Sequence, residues 1–71
     1  MIKVIDCTNT DRNYGTYKIT AFSDTKDEVE TTATDDYIGM PKGANIEMGS
    51  IMITADGDVA FYKSDDIWNW V

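Results

Sequence analysis

The sequence predicts a mainly β domain, built as a small antiparallel sheet or a compact β-barrel-like unit. Apolar residues alternate with mostly polar ones from Thr16 to Phe22, which is the pattern of a half-buried strand. Two apolar runs, residues 51–55 and 58–63, are separated by Asp56-Gly57, a dipeptide that favours tight hairpin turns. These observations predict a β-hairpin in the carboxyl-terminal third of the chain.

The amino-terminal region predicts a first hairpin. Residues Ile2 to Cys7 are dense in β-branched side chains, which suits a short first strand. Residues 8–13 are consecutive polar residues rich in turn formers, so they predict a loop. A second strand begins at Thr16, and we expect it to pair with the first through a long or bulged connection. Its mostly apolar face consists of Tyr17, Ile19 and Ala21.

The middle of the chain predicts at most one short helical turn, near residues 25–30. Thr25 and Glu28 have the spacing of a capping box, in which each side chain bonds to the other residue's backbone N–H. The threonine-rich stretch 31–34 disfavours helix, so the turn is short. Residues 35–46 then predict a long loop that leads into the carboxyl-terminal hairpin.

The carboxyl-terminal hairpin is predicted to be apolar on both faces. With Asp56-Gly57 as a two-residue turn, Thr54 would pair with Val59 and Ile53 with Ala60. A sheet that is wetted on one side alternates apolar with polar residues, so two apolar faces indicate cover on both sides. One predicted face carries Ile51, Ile53, Ala60 and Tyr62, and the other carries Met52, Thr54, Val59 and Phe61.

The size of the chain predicts one domain, residues 1–71, with a marginal core. A domain this small buries only about 60% of the surface of its unfolded chain. Cys7 is the single cysteine and histidine is absent, so neither an intramolecular disulfide nor a typical zinc site can compensate. We therefore expect the protein to associate with itself as a homo-oligomer.

Charge and composition narrow the class of function. Thirteen acids against six bases give a net charge of −7, which argues against direct binding to nucleic acid. No apolar run approaches the ~20 residues needed to cross a membrane. The sequence also lacks a recognisable catalytic motif, so it predicts neither an enzyme nor a cofactor or metal site. The scattered acids leave open a second class, a small acidic inhibitor that mimics DNA.

The aromatic residues are divided between the predicted core and a predicted interface. Phe22, Phe61 and one tryptophan are assigned to the core. The other tryptophan and one or two tyrosines are assigned to an interface, because Trp and Tyr concentrate at interface hot spots. The candidate interface residues are Tyr37, Met40, Tyr62, Trp68 and Trp70.

From Ala21 onward the chain resembles a family of small bacteriophage virion proteins that includes head-fibre and capsid-decoration proteins. The resemblance lies in the order and spacing of short motifs over about two thirds of the chain. Matching segments are Asp24–Val29, the Pro/Gly loop Ile38–Gly43, Gly49–Ile53 with Asp58–Tyr62, and Trp68–Val71.

The resemblance implies a structural protein made in the bacterial cytoplasm and incorporated into the virion. Such a protein would decorate or stabilise the shell by self-association, with a trimer favoured, and by docking on the major capsid protein. Similar hairpin and tryptophan units occur in phage tail fibres, so a tail or baseplate module is an alternative.

Overall fold

The computed structural model describes residues 1–11, 15–41 and 43–71 and confirms the predicted mainly β class. Within these ranges, six strands form one sheet, with a short helix and a 3₁₀ turn beside it. Among the described residues, no helix is long and apolar enough to cross a membrane. The elements are β1 (Ile2–Asp11), β2 (Thr16–Ser23), α1 (Lys26–Thr31), the 3₁₀ turn (Thr34–Asp36), β3 (Asn45–Ile46), β4 (Ile51–Thr54), β5 (Val59–Ser64) and β6 (Ile67–Trp70).

The sheet is mixed: most of its pairing is antiparallel, as predicted, but two strand pairs are parallel. The strand order is β1-β2-β4-β5-β6, and β3 lies beside the first part of β2. The pairs β1–β2, β4–β5 and β5–β6 are antiparallel, whereas β2 is parallel to both β3 and β4. Parallel strands need a crossover connection, and the segment containing α1 and the 3₁₀ turn supplies it.

The predicted amino-terminal hairpin is confirmed, but β1 is longer than expected. It continues past Cys7 to Asp11, so residues 8–11 of the predicted loop form a strand, and residues 12–13 lie outside the described ranges. Backbone pairing with β2 holds this polar part of an edge strand without needing apolar side chains. An irregularity between Val4 and Asp6 leaves Ile5 exposed.

The predicted helical turn is confirmed at α1. Thr25 is its N-cap, and the Glu28 backbone N–H donates to the Thr25 hydroxyl oxygen over 3.2 Å. Thr32 follows α1 in an extended conformation, which ends the helix at the predicted threonine-rich stretch. Val29 is buried, so α1 packs on the sheet through its middle turn.

The turn between β4 and β5 contains three residues rather than two, so the predicted register is wrong by one residue. The Gly57 N–H donates to the Thr54 carbonyl over 3.0 Å, and the Thr54 N–H donates to the Asp58 carbonyl over 2.9 Å. Gly57 has a φ of +91°, as three-residue hairpin loops with a left-handed last position require. The observed pairs are Ile51 with Phe61, Met52 with Ala60, and Ile53 with Val59.

This change of register changes which side chains share a face. One face of the hairpin is buried, and the opposite face is partly to largely exposed. The buried face carries Met52, Thr54, Ala60 and Tyr62, and the opposite face carries Ile51, Ile53, Val59 and Phe61.

A second hairpin joins β5 to β6 through Asp65 and Asp66. Both residues have a positive φ, 49° and 63°, as expected for the two central positions of a type I′ turn. The Asp66 N–H donates to the Tyr62 hydroxyl oxygen over 2.9 Å. The chain therefore folds back and places β6 at the edge of the sheet.

The core lies on one side of the sheet, under α1 and the segment that follows it. Val29 from α1 and Tyr37 and Met40 from that segment join the same cluster as the buried strand residues. At the break between β3 and β4, the buried Ser50 hydroxyl oxygen accepts the Ile19 N–H over 2.9 Å and satisfies a backbone donor. The buried strand residues in this cluster are Ile2, Ile19, Ala21, Met52, Ala60, Tyr62 and Trp68.

Candidate functional site

The five candidate interface residues come together in the structure, but on the core side of the sheet. Tyr37 is 3% exposed and Trp68 is 8% exposed, as is Tyr62, while Met40 and Trp70 pack half-buried against the same cluster. Trp68 and Trp70 share a face of β6, as predicted, and that face is the one covered by the chain itself. Tyr37, Tyr62 and Trp68 therefore expose almost no side-chain area that could contact another molecule.

These aromatic side chains are joined by specific contacts. The Trp68 indole N–H donates to the Tyr37 hydroxyl oxygen over 3.2 Å in a buried setting. The rings of Tyr62 and Trp68 meet edge to face with centroids 5.1 Å apart, the favourable geometry for an aromatic pair. Lys26 places its ammonium 5.1 Å from the Trp70 ring centroid. These contacts hold α1 and residues 37–40 against β6, at the edge of the sheet.

The outer face of the sheet is the side opposite the core. Its side chains alternate with the buried ones along each strand, and the ladder register aligns them across strands. One row consists of Lys3, Phe22, Ile53 and Val59, and the next row consists of Asp6, Thr20, Ile51, Phe61 and Asn69.

An apolar patch occupies the middle of the outer face. Phe61 is 44% exposed, which makes its predicted place in the core wrong, because the one-residue shift in register turns it outward. The other four side chains are half-buried by their neighbours within the sheet. We call Phe22, Ile51, Ile53, Val59 and Phe61 the apolar patch.

The apolar patch has a polar margin. On β1 the residues level with it are Lys3 and Asp6. On β6, Asn69 is level with Phe61, and exposed Val71, whose N–H donates to the Val59 carbonyl, is level with Val59. Exposed Lys18 lies on the outer face of β2, beside a shallow depression of about 260 Å³. Gly49 lines this depression, and a Cβ added at this position would meet no atom within 4 Å. An apolar centre with a polar margin is the usual anatomy of a protein interface.

The described residues offer little reactive chemistry. Burial, and secondly the nearby Asp6 charge, raise the pKa of the Cys7 thiol, which disfavours the reactive thiolate. Within residues 1–11, 15–41 and 43–71, no group of three or more His, Cys, Asp or Glu side chains is placed to hold a metal ion. Among the described residues, the apolar patch is the surface feature that has the anatomy of an interface.

No protein-family model, curated protein or solved structure matches this chain. The resemblance to phage virion proteins therefore stays a prediction.

The sequence indicated that the carboxyl-terminal hairpin carries an additional apolar surface, but not which side chains form it. The hairpin was predicted to be apolar on both faces, which is the property that leaves an apolar patch after one face is buried. The composition of the outer face was missed because it depends on the length of the turn at residues 55–57. Phe61 in particular could be assigned only once that length was known.

Proposed function

We propose that this protein is a non-enzymatic structural component of a bacteriophage virion, which decorates or stabilises the shell as head-fibre and capsid-decoration proteins do. It would act by self-association and by docking on capsid subunits. The observation that carries this proposal is the apolar patch on the outer face, together with its polar margin. Buried apolar area contributes roughly 25 cal/mol per Å², so covering the patch would add stability that a small core lacks.

The charge distribution supports a protein partner over a nucleic acid. The chain has a net charge of −7, and its outer face combines apolar side chains with only a few charges. A nucleic-acid site would need a cluster of bases to displace counterions. The partners in this proposal are a second copy of the chain and the major capsid protein, with neither nucleic acid nor membrane involved.

Protein composition of purified particles tests this proposal. We expect quantitative mass spectrometry of the phage that encodes this chain to find it in many copies, in fixed proportion to the major shell subunit. Cryo-microscopy of the same particles would distinguish the shell from a tail or baseplate location. Absence of the chain from purified particles would contradict every virion role.

A second candidate function is an acidic inhibitor that mimics DNA, and one observation favours it. Residues 24–36 contain six acids and one lysine, Lys26, and this segment includes α1 and the 3₁₀ turn. Carboxylates spaced along a segment can imitate a phosphate backbone. An inhibitor of this kind would be absent from particles and would bind one soluble DNA-binding protein in competition with DNA. Copy number in particles therefore separates the two candidates.

A further inference from the structure

We propose that the outer face is a homodimer interface, in which a second copy of this chain packs sheet against sheet about a two-fold axis that runs along β4. This inference rests on the self-association in the proposed function and names its surface and symmetry. It replaces the trimer that the resemblance favours with a dimer.

The arrangement of strands makes the outer face complementary to itself. The apolar patch lies on β2, β4 and β5, the three middle strands of the order β1-β2-β4-β5-β6. A half-turn about β4 places β2 over β5 of the second copy and β1 over its β6. Apolar side chains then meet apolar side chains, as a two-fold interface requires. The two sheets would form a sandwich with a spacing of about 10 Å.

The same rotation pairs the polar margins. Asp6 on β1 and Asn69 on β6 lie in one row, separated by three intervening strands. The half-turn about β4 therefore sets the Asp6 carboxylate opposite the Asn69 amide of the second copy, and the reverse on the other edge. A carboxylate accepts hydrogen bonds and an amide NH₂ donates them, so the pair is compatible.

The distribution of charge predicts that two copies repel each other less at the outer face than at other parts of the surface. Among the outer-face positions in ladder register there are two acids, Asp6 and Asp11, and two lysines, Lys3 and Lys18, so their charges balance. The remaining surface holds almost all of the acids of a chain with a net charge of −7. Two copies repel each other least when they meet through the outer face.

The outer face is also of a suitable size. A stable interface buries about 800 Å² on each partner, which is under a fifth of the 4586 Å² accessible surface of this chain. β1 and β2 are about 33 and 26 Å long at ~3.3 Å per residue, and five strands about 4.8 Å apart lie side by side. We expect the outer face with its margin to provide an area of this order.

Sedimentation equilibrium of the purified chain tests the dimer. At ~100 µM we expect a dimer, and Phe61→Glu should weaken it at least about tenfold by placing a charge in the apolar patch. The matched control, Ala33→Glu, adds the same charge at an exposed position between α1 and the 3₁₀ turn and should remain dimeric. Circular dichroism would verify that both variants are folded. A monomeric wild-type chain would overturn the proposal.

Cross-linking tests the direction of the two-fold axis with no variant in the apolar patch. In a Cys7→Ser background, Asp6→Cys combined with Asn69→Cys should give a covalent dimer with a short bis-maleimide reagent. Either cysteine alone should not, because equivalent positions of the two copies would lie about 19 Å apart, across four strand spacings. Cross-linking by Asp6→Cys alone, or a trimer of any kind, would overturn the axis along β4.

These experiments use the purified chain and require no particles. A dimer in a chain that is absent from virions would contradict the proposed function while supporting this interface. A chain that is monomeric in solution but abundant in virions would support a virion role and contradict this interface.

Discussion

The hydrogen bond between Trp68 and Tyr37 is the buried side-chain contact that ties β6 to the segment after α1. The donor is the indole N–H and the acceptor is the Tyr37 hydroxyl oxygen, 3.2 Å apart. Tyr37→Phe would leave a buried donor unpaired, which costs about 1–3 kcal/mol. We expect urea unfolding to show a loss of this size. Tyr17→Phe, at a half-buried tyrosine packed on the same core, should change stability by no more than about 0.5 kcal/mol.

Tyr37 also predicts a loss of stability in alkali. Burial, the largest cause, raises the pKa of Tyr37 above its ordinary value of 10.0, with the charges of Asp66 and Tyr62 adding to it against the opposing Trp68 hydrogen bond. The unfolded chain therefore releases this proton first, and stability falls as pH rises past the ordinary value. We expect the stability advantage of wild type over Tyr37→Phe to shrink between about pH 8 and pH 10.5. An advantage that is constant over this range would contradict the burial argument.

At the scale of elements, the three-residue turn between β4 and β5 determines the composition of both sheet faces. Gly57 holds a φ of +91°, where a side chain is disfavoured by roughly 1–2 kcal/mol. We expect Gly57→Ala to lower the free energy of unfolding by about this amount in chemical denaturation. The matched control is Asp56→Ala at the exposed neighbouring position, which should be nearly neutral. Equal effects at both positions would show that the left-handed conformation is not required.

Elements that depend on local chemistry were predictable from the sequence. Thr25 and Glu28 indicated the start of α1, and alternation along β2 indicated that Ile19 and Ala21 face the core. The prediction that Phe22 lies in the core is wrong, because Phe22 lies on the outer face. The register of the next hairpin was not predictable in the same way, since Asp56-Gly57 fits both a two-residue and a three-residue turn. A shift of one residue exchanges the two faces, so a small local ambiguity changed the whole candidate surface.

At the scale of the molecule, the parallel pairing of β2 with β4 could not be read from local patterns. It depends on how α1 and the following residues cross the sheet, and that crossing is set by packing of Val29 and Tyr37 in the core. The same crossing explains why the tryptophans are covered. Because this segment packs on the core side, the side chains of the outer face stay partly to largely exposed. The candidate surface is thus a consequence of topology, which sequence patterns alone did not reveal.

The net charge of −7 makes the proposed dimer sensitive to salt, and the direction of the effect is diagnostic. Two acidic copies repel each other, and screening shortens the reach of this repulsion from about 30 Å at 0.01 M salt to about 8 Å at 0.15 M. The apolar patch itself contains no ionic bond for salt to weaken. We therefore expect sedimentation equilibrium to show tighter association at the higher salt concentration. Weaker association would indicate that ion pairs of Lys3 and Lys18 with acids hold the copies together, and would contradict an interface held mainly by the apolar patch.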